Sequence, residues 1–275
     1  MKVASYQFPV SGDVQNNCAH ILRAIEGAAK AGVRFLVCPE CAITGYPPRD
    51  VPSSKEVDFR AVERAHAAIA EAAWVHDIYV LVGTIVREEC SPTMDIPMFG
   101  DIPALEEVFY NTALVFTPDG HVERYSKRAL WGWDRDNFAP GEEPGVFAID
   151  GIRIGVRICF EVRFPEYFRE LYKMKTDLNV ILFYDVTDKP DPDRYDLIRG
   201  HIRTRAVENA TYTMTSNATS PNQTAPTAVY DRSGRTVMEL KPGQESVLAF
   251  NINPTSPDFG ESGRIEISNF LIGRN

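Results

Sequence analysis

Two hydrophobic periodicities alternate along the chain. Short apolar runs of the kind that form strands are followed by longer stretches with apolar residues at helical spacing. In the first half, this pattern predicts strand, helix, strand, helix and strand, in the order KVASYQF, DVQNNCAHILRAIEGAAKAG, VRFLVCPE, VDFRAVERAHAAIAEAAWVHD and IYVLVGTIV.

An irregular acidic segment over residues 88–107 contains prolines and precedes a predicted hairpin, VFYNTALVFT and HVERYSK, joined by the turn sequence PDG. The second half has a similar composition of elements. It predicts a hairpin, a helix, a strand, a helix and four further strands, in the order GVFAI with IRIGVRICF, FPEYFRELYKMK, TDLNVILFY, DRYDLIRGHIRTRAVENA, TYTMTSN, PTAVYD, RTVMEL and ESVLAFN.

This order of elements predicts an α/β fold with mixed sheets, because strands alternate with helices and hairpins interrupt the series. The two halves are comparable, so we expect two sheets packed face to face with helices outside, an α-β-β-α sandwich. Residues 254–275 are predicted to form an extended C-terminal arm with little core of its own, of the kind that packs on another subunit.

Charge and composition narrow the class of protein. The chain has 275 residues, of which 44% are hydrophobic and 24% charged, as in ordinary globular proteins. The net charge of −9 argues against a nucleic-acid or anionic-membrane surface. The sequence shows neither a signal peptide nor an apolar run long enough to span a membrane.

Cysteine and histidine usage indicates a reduced protein without a structural metal. The five cysteines are odd in number, and the C-x-x-C of Cys38 and Cys41 has no second pair downstream. None of the five histidines has zinc-ligand spacing. We therefore expect a cytoplasmic protein with no metal and no cofactor.

Three reactive side chains follow predicted strands, where loops open a crevice in α/β sheets. They are Glu40 after FLVCP, Lys127 after HVERYS, and Cys159 at the end of IRIGVRI. Taken singly, each has an ordinary alternative: a solvated loop glutamate, a solvated turn lysine and a buried core thiol. Together, they supply a nucleophile, a base and a cation for an oxyanion, which attack on a C–N bond requires without any histidine.

Four segments in the same order resemble the nitrilase superfamily, the carbon–nitrogen hydrolases. They are VCPECAITGY, ERYSKRAL, GVRICFEVRFPE and RTRAVENATYTMTSN. The resemblance runs through most of the chain and implies a single domain over residues 1–275. It implies Glu40 as the general base, Lys127 as the oxyanion cation, Cys159 as the nucleophile and the backbone N–H of Phe160 as an oxyanion donor.

The chain departs from the family pattern at two carboxylates. Glu161 stands where the family commonly has aspartate, and we expect it to be a structural hydrogen-bond partner. The family's second glutamate is replaced by an aspartate in WGWDRDNFAPG. Asp134 is the predicted replacement, and Asp136 is the competing candidate.

The predicted substrate is a small amide, cleaved through a thioester with release of ammonia or an amine. Residues near the strand ends are predicted to bind it: Tyr46, Trp133, Arg163 and Tyr184. An arginine at 163 could pair with a substrate carboxylate, which would favour a dicarboxylic half-amide, although a surface salt bridge is an equal alternative.

Three alternatives to an amidase remain open at this point. An N-carbamoyl amide hydrolase and a nitrilase belong to the same superfamily, and a non-catalytic relative would bind a small ligand instead. Members of the family usually pair through helices next to the nucleophile segment. We therefore expect a homodimer or larger homo-oligomer, with its interface on the helices over 164–174 and 194–210.

Overall fold

The computed structural model of the protein describes residues 1–89, 107–253 and 256–273. Its strands are β1 (Lys2–Gln7), β2 (Phe35–Val37), β3 (Tyr79–Glu89), β4 (Glu107–Phe116), β5 (Val122–Ser126), β6 (Val146–Ile149), β7 (Ile152–Ile158), β8 (Leu178–Phe183), β9 (Tyr212–Asn217), β10 (Ala228–Tyr230), β11 (Thr236–Glu239) and β12 (Ser246–Asn251). Its helices are α1 (Val14–Lys30), α2 (Phe59–Val75), α3 (Trp133–Asn137), α4 (Pro165–Lys173), α5 (Pro192–Asn209) and α6 (Phe259–Leu271).

The strands form two six-stranded sheets. The first has the order β12-β1-β2-β3-β4-β5, and the second has the order β11-β10-β9-β8-β7-β6. In each sheet the three central strands run parallel, and antiparallel strands flank them. Both sheets are therefore mixed, as predicted.

Three apolar clusters separate the layers. Alternate residues of β2 point to opposite faces: Leu36 packs with α1 and α2, whereas Phe35 and Val37 pack between the sheets. On β8, Val180 and Leu182 face the middle, and Ile181 and Phe183 pack with α4 and α5. The alternation buries both faces of each sheet, and the predicted α-β-β-α sandwich is confirmed.

The predicted strands and helices are confirmed within a few residues, with one difference in their arrangement. β12 lies late in the chain but belongs to the first sheet, where it pairs antiparallel with β1. The division into two halves along the chain is therefore only approximate, because the last strand returns to the edge of the first sheet.

The prediction of an extended conformation for the C-terminal arm is wrong over most of the described part of that arm. α6 begins at a capping box in which Asp258 and Glu261 each accept the other's backbone N–H. The hydroxyl of Tyr172 on α4 donates to Asn269 Oδ1 at 2.9 Å and lies 3.2 Å from Ile265 O, which attaches α6 to the outer helical layer. The sequence did not indicate this helix, because its large apolar residues do not form one buried face. Phe259, at the start of α6, is exposed, as are other large apolar residues of the helix.

The predicted irregular segment over 88–107 lies almost entirely outside the described residues, and its ends belong to β3 and β4. Among the helices of the described residues, none combines the length and apolarity needed to cross a membrane. Packing of the C-terminal arm on another subunit stays a prediction.

Candidate active site

The carboxyl ends of three strands bring the three candidate residues to one region of the sandwich. Lys127 directly follows β5, Cys159 directly follows β7, and Glu40 lies three residues after β2. Glu40 and Lys127 are buried, at 0% and 1% exposure, although both are charged residues. Burial of two such groups requires compensation by partners.

Glu40 is positioned by a close approach between its loop and β3. Gly83 N–H donates to Pro39 O at 3.0 Å, and Ile43 N–H donates to Gly83 O at 3.1 Å. A Cβ at position 83 would lie 2.6 Å from Glu40 Cα and still closer to Pro39 O. Only glycine therefore allows the loop to lie on the strand at this point.

Lys127 stands between two carboxylates. Its Nζ lies 2.8 Å from Glu40 Oε1 and 2.8 Å from Asp134 Oδ2. Asp134 is itself buried and accepts a 2.6 Å hydrogen bond from the hydroxyl of Tyr46. Asp136, the competing candidate for the second carboxylate, is exposed. The structure therefore places Asp134, and not Asp136, beside Lys127.

Asn111 belongs to the same cluster and was not identified from the sequence. Its Nδ2 donates to Glu40 Oε1 at 2.7 Å, and Lys127 N–H donates to its backbone oxygen at 2.8 Å. Tyr184 N–H donates to the other oxygen, Glu40 Oε2, at 2.8 Å. The one available signal was a buried polar residue within the apolar strand VFYNTALVF.

The electrostatics of the cluster depend on burial. Burial raises the pKa of Glu40, and the positive charge of Lys127 opposes that rise. Burial alone would lower the pKa of Lys127, but Asp134 and Glu40 together raise it well above its usual range. Lys127 is therefore a permanent cation, and Glu40 is a more basic carboxylate than one in water.

Cys159 occupies a sharp turn from β7 into a 3₁₀ helix over Cys159–Arg163. Its φ of 47° lies in the left-handed region, which non-glycine residues rarely adopt. Burial, and then the charge of Glu40, raise the pKa of the Cys159 thiol well above its usual range. The resting group is thus a thiol, so its reaction as a nucleophile needs a base to take the proton.

Glu161 connects the lysine segment to the cysteine turn. One oxygen accepts from the hydroxyl of Tyr125 at 2.7 Å and from Arg128 N–H at 2.8 Å. The other accepts from Ile158 N–H at 2.7 Å. These contacts give Glu161 the structural role expected from the sequence.

The four predicted substrate-binding residues divide into two pairs. The rings of Tyr46 and Tyr184 stack with centroids 5.2 Å apart, next to the carboxylates. Trp133 is 55% exposed, and the guanidinium of Arg163 lies 5.8 Å from the ring centroid of Phe160. The structure thus brings the two tyrosines to the Glu40–Lys127 cluster, whereas Trp133 is largely exposed and Arg163 lies over Phe160, the residue after Cys159.

The described residues contain no group of three or more histidine, cysteine or carboxylate side chains arranged to hold a metal ion. The chemistry available in the cluster is that of a thiol, a basic carboxylate and a fixed cation. This combination is suited to acyl transfer.

The fold and this cluster define a class of enzyme. The family model of carbon–nitrogen hydrolases matches residues 2–256, and the chain belongs to that family. The resemblance to the nitrilase superfamily is confirmed, and the chain is an amidase-like carbon–nitrogen hydrolase.

Curated relatives of the chain carry several related names. Omega-amidase NIT2-A of Xenopus laevis is 24% identical over 226 residues, which cover 78% of this chain and 74% of that protein. A nitrilase of Pyrococcus abyssi is 27% identical and covers 79% of this chain and 74% of its own length. The 2-oxoglutaramate amidase of Bacillus subtilis is 26% identical, with 68% of this chain and 64% of that protein covered.

Solved structures share the fold at low sequence identity. The amidase NitN of Nesterenkonia sp. AN1 has a TM-score of 0.77 and 21% identity, covering 100% of this chain and 99% of that one. A variant structure of the amidase from the same organism has a TM-score of 0.74 and 21% identity, with coverage of 98% and 99%. It shows acrylamide added to that enzyme's active-site cysteine.

Proposed function

We propose that this protein hydrolyses a small linear amide with Cys159 as nucleophile, Glu40 as general base and acid, and Lys127 as oxyanion cation. The observation that carries the proposal is the position of Lys127 Nζ, 2.8 Å from Glu40 and 2.8 Å from Asp134, in a buried site whose charges act on Cys159. Burial of a cation with two carboxylates costs more desolvation energy than burial of neutral side chains would, which favours a role for their charges in catalysis.

Acylation begins with transfer of the Cys159 thiol proton to Glu40. Three donors, Lys127, Asn111 and the Tyr184 N–H, hold the carboxylate in place, with Oε2 accepting only the last of them among the described residues. Oε2 is therefore the oxygen with acceptor capacity left for the proton. The resulting thiolate attacks the amide carbonyl carbon.

The tetrahedral intermediate carries its negative charge on the former carbonyl oxygen. Lys127 and the backbone N–H of Phe160 stabilise this oxygen, which is the role the family resemblance implies for both. Protonated Glu40 then gives its proton to the leaving nitrogen. The C–N bond breaks, and ammonia or an amine leaves a thioester on Cys159.

Deacylation uses the same carboxylate in the reverse direction. Glu40 takes a proton from water as the water oxygen attacks the thioester carbonyl, and it returns the proton to the departing Cys159 sulfur.

Asp134 holds Lys127 in place without contacting the reacting atoms, and Tyr46 holds Asp134. Tyr46 and Tyr184 form the wall on which the substrate chain lies.

The names of the relatives support an amide as the substrate class, since omega-amidases and a 2-oxoglutaramate amidase are among them. The nitrilase of Pyrococcus abyssi supports the alternative of a nitrile, and N-carbamoyl compounds remain the second alternative within the superfamily. Ammonia release from a panel of amides, N-carbamoyl compounds and nitriles discriminates among the three. Cys159→Ala must abolish release, and normal turnover by this variant would overturn the mechanism.

Alkylation tests the non-catalytic alternative, a relative that only binds a ligand. A nucleophile served by a buried base reacts with iodoacetamide faster than core thiols, so peptide mapping should find Cys159 labelled before Cys18, Cys38 and Cys41. Glu40→Gln should slow that labelling. Labelling of Cys159 no faster than the buried thiols would favour the binding protein.

A further inference from the structure

A second charged cluster lies between the segment that carries Lys127 and the segment that carries Cys159, and the proposed mechanism does not use it. Its members are Arg128, which directly follows Lys127, Arg157 on β7, and Glu170 on α4. Arg157 is fully buried, whereas the side chains of Arg128 and Glu170 are 18% and 36% exposed. We call these three residues the arginine–glutamate bridge.

Arg157 is held by neutral acceptors and by one anion. Its Nε and Nη2 donate to Tyr167 O at 3.1 and 2.8 Å, and its Nη1 donates to Pro144 O at 3.0 Å and to Val156 O at 2.7 Å. These carbonyl oxygens satisfy its N–H groups but do not neutralise its charge. Among the described residues, the carboxylate that pairs with it is Glu170, whose Oε2 accepts from Nη2 at 2.9 Å. A buried cation requires such a partner.

Arg128 engages the same carboxylate. Its Nη1 donates to Glu170 Oε1 at 3.3 Å, and its Nη2 donates to Oε2, the oxygen that also accepts from Arg157. The ring of Tyr167, on the same face of α4, has its centroid 4.7 Å from Cζ of Arg128 and 5.8 Å from Cζ of Arg157. One face of α4 therefore holds both arginines, by charge-assisted hydrogen bonds and by cation–π contacts.

The contacts of the bridge cross from one sheet of the sandwich to the other. Lys127 and Arg128 follow β5 of the first sheet, whereas Arg157 lies on β7 of the second sheet and Cys159 directly follows that strand. Within the described residues the two sheets share no strand pairing, and the apolar contacts between them are not directional. The distance between the ammonium of Lys127 and the sulfur of Cys159 therefore depends on directional side-chain contacts that cross between the sheets.

Glu161 and Glu170 contribute differently to these contacts. Glu161 lies in the turn of the nucleophile and accepts from the backbone N–H groups of Arg128 and Ile158, so its replacement would change the turn itself. Glu170 lies on an outer helix, and the described ion pairs of its side chain are with the two arginines of the bridge. Any effect of Glu170 on the proposed site therefore passes through the bridge.

We propose that Glu170 is a positioning residue for the proposed reaction. By holding the arginines of the bridge, it sets the distance between Lys127 and Cys159. This inference rests on the proposed function, because the distance matters only if the sulfur attacks a carbonyl whose oxygen Lys127 stabilises. That oxygen becomes an anion only after the attack, so a displaced Lys127 weakens the transition state more than it weakens the bound substrate. Loss of Glu170 should therefore lower kcat and leave KM nearly unchanged.

The test compares Glu170→Gln with Glu166→Gln, a matched control that removes the charge of an exposed glutamate in the first turn of the same helix. With the best amide of the panel, Glu170→Gln should lower kcat about 5- to 20-fold, less than the roughly 100-fold that a misplacement of 1 Å can cost, and should leave KM within about twofold. Alkylation of Cys159 by iodoacetamide forms no oxyanion, so its rate should stay within about threefold of the wild-type rate. Glu166→Gln should match the wild type in all three measurements.

Arg128→Gln is a second variant, which leaves the buried pair of Arg157 and Glu170 intact and so tests the bridge if Glu170→Gln is too unstable to assay. It should reproduce the fall in kcat. The double variant Arg128→Gln/Glu170→Gln should have a kcat within about twofold of the worse single variant, because both substitutions remove one shared contact.

Several results would overturn the assignment: wild-type kcat in folded Glu170→Gln or in Arg128→Gln, a loss confined to KM, or losses that multiply in the double variant. An equal fall in turnover and in alkylation would also contradict it, because the Cys159 turn itself would then be disturbed. Failure of the proposed function is seen differently, as normal turnover by Cys159→Ala. An inactive Cys159→Ala together with a wild-type Glu170→Gln would mean that only the positioning role fails.

Discussion

Asn111 Nδ2 donates a 2.7 Å hydrogen bond to Glu40 Oε1, the same oxygen that Lys127 Nζ contacts at 2.8 Å. Asn111 and Lys127 therefore both position Glu40, the proposed base. Because it donates to the charged form of the carboxylate, it also lowers the pKa of Glu40 against the larger opposite effect of burial. Asn111 is a positioning residue for the base.

Asn111→Leu removes this donor while keeping the number and branching of the side-chain heavy atoms. The pKa of Glu40 should rise, so the acidic limb of the kcat/KM profile should move to higher pH. The loss of a hydrogen bond to a charged group costs about 1.5–3 kcal/mol, which corresponds to a fall of about 10- to 150-fold in kcat/KM at neutral pH. The measurement is a pH profile with the best amide of the panel.

The control for Asn111 is its neighbour on β4. The hydroxyl of Thr112 lies 3.1 Å from Ser126 Oγ, away from the carboxylate cluster. Thr112→Val should therefore leave the acidic limb in place. A profile of Asn111→Leu that fell uniformly at all pH values would mean that the amide only supports the fold.

Asp134→Asn is expected to move the acidic limb in the opposite direction. Asp134 raises the pKa of Glu40 through its negative charge, so the isosteric amide should lower that pKa and extend activity to lower pH. kcat should fall as well, because Lys127 loses the second carboxylate that fixes it. Asp136→Asn tests the competing carboxylate, and this exposed residue should give a wild-type profile. A loss of activity in Asp136→Asn alone would reverse the assignment.

Much of the fold was accessible from the sequence because strands with two buried faces are strongly apolar and short. β8 and β7 are of this kind, and their ends located Tyr184 and Cys159. The position of β12 was not accessible, since pairing partners far apart in the chain leave no local signal. The helix α6 was missed for a different reason, because apolar residues of this helix face outward.

The candidate site was predictable at its strand ends and not within the strands. Glu40 and Lys127 follow strands, where reactive residues are expected, whereas Asn111 lies inside β4 and has the sequence signal of an ordinary buried polar residue. The ion pairs of Glu170 join α4 to the segment after β5 and to β7, and only the three-dimensional structure brings these elements together. Contacts between such distant elements set the details of a site.

Lys127→Met should cost stability as well as turnover. The substitution leaves Glu40 and Asp134 buried without their shared cation, and removing one partner of a buried ion pair costs about 3–5 kcal/mol. Because burial raises the pKa of such a carboxyl, the folded variant binds protons more tightly than the unfolded chain. The difference in unfolding free energy between the wild type and Lys127→Met should therefore become smaller as the pH falls. Urea unfolding at several pH values measures this, with Lys189→Met, an exposed lysine, as control. A deficit independent of pH would contradict the ion-pair account.

His66 makes a separate prediction about acid stability. Its Nε2 lies 3.3 Å from Thr84 Oγ1, and burial lowers its pKa from 6.5 to about 4. Above pH 6.5 the ring is neutral in both the folded and the unfolded chain. Between pH 6.5 and about 4, the unfolded chain binds a proton that the folded chain does not. The free energy of unfolding therefore decreases as the pH falls through this range. The contribution is at most about 3 kcal/mol. His66→Gln should flatten the fall in the unfolding free energy over this range, whereas substitution of the exposed His76 by glutamine should not. An unchanged slope in His66→Gln would show that other groups control the acid transition.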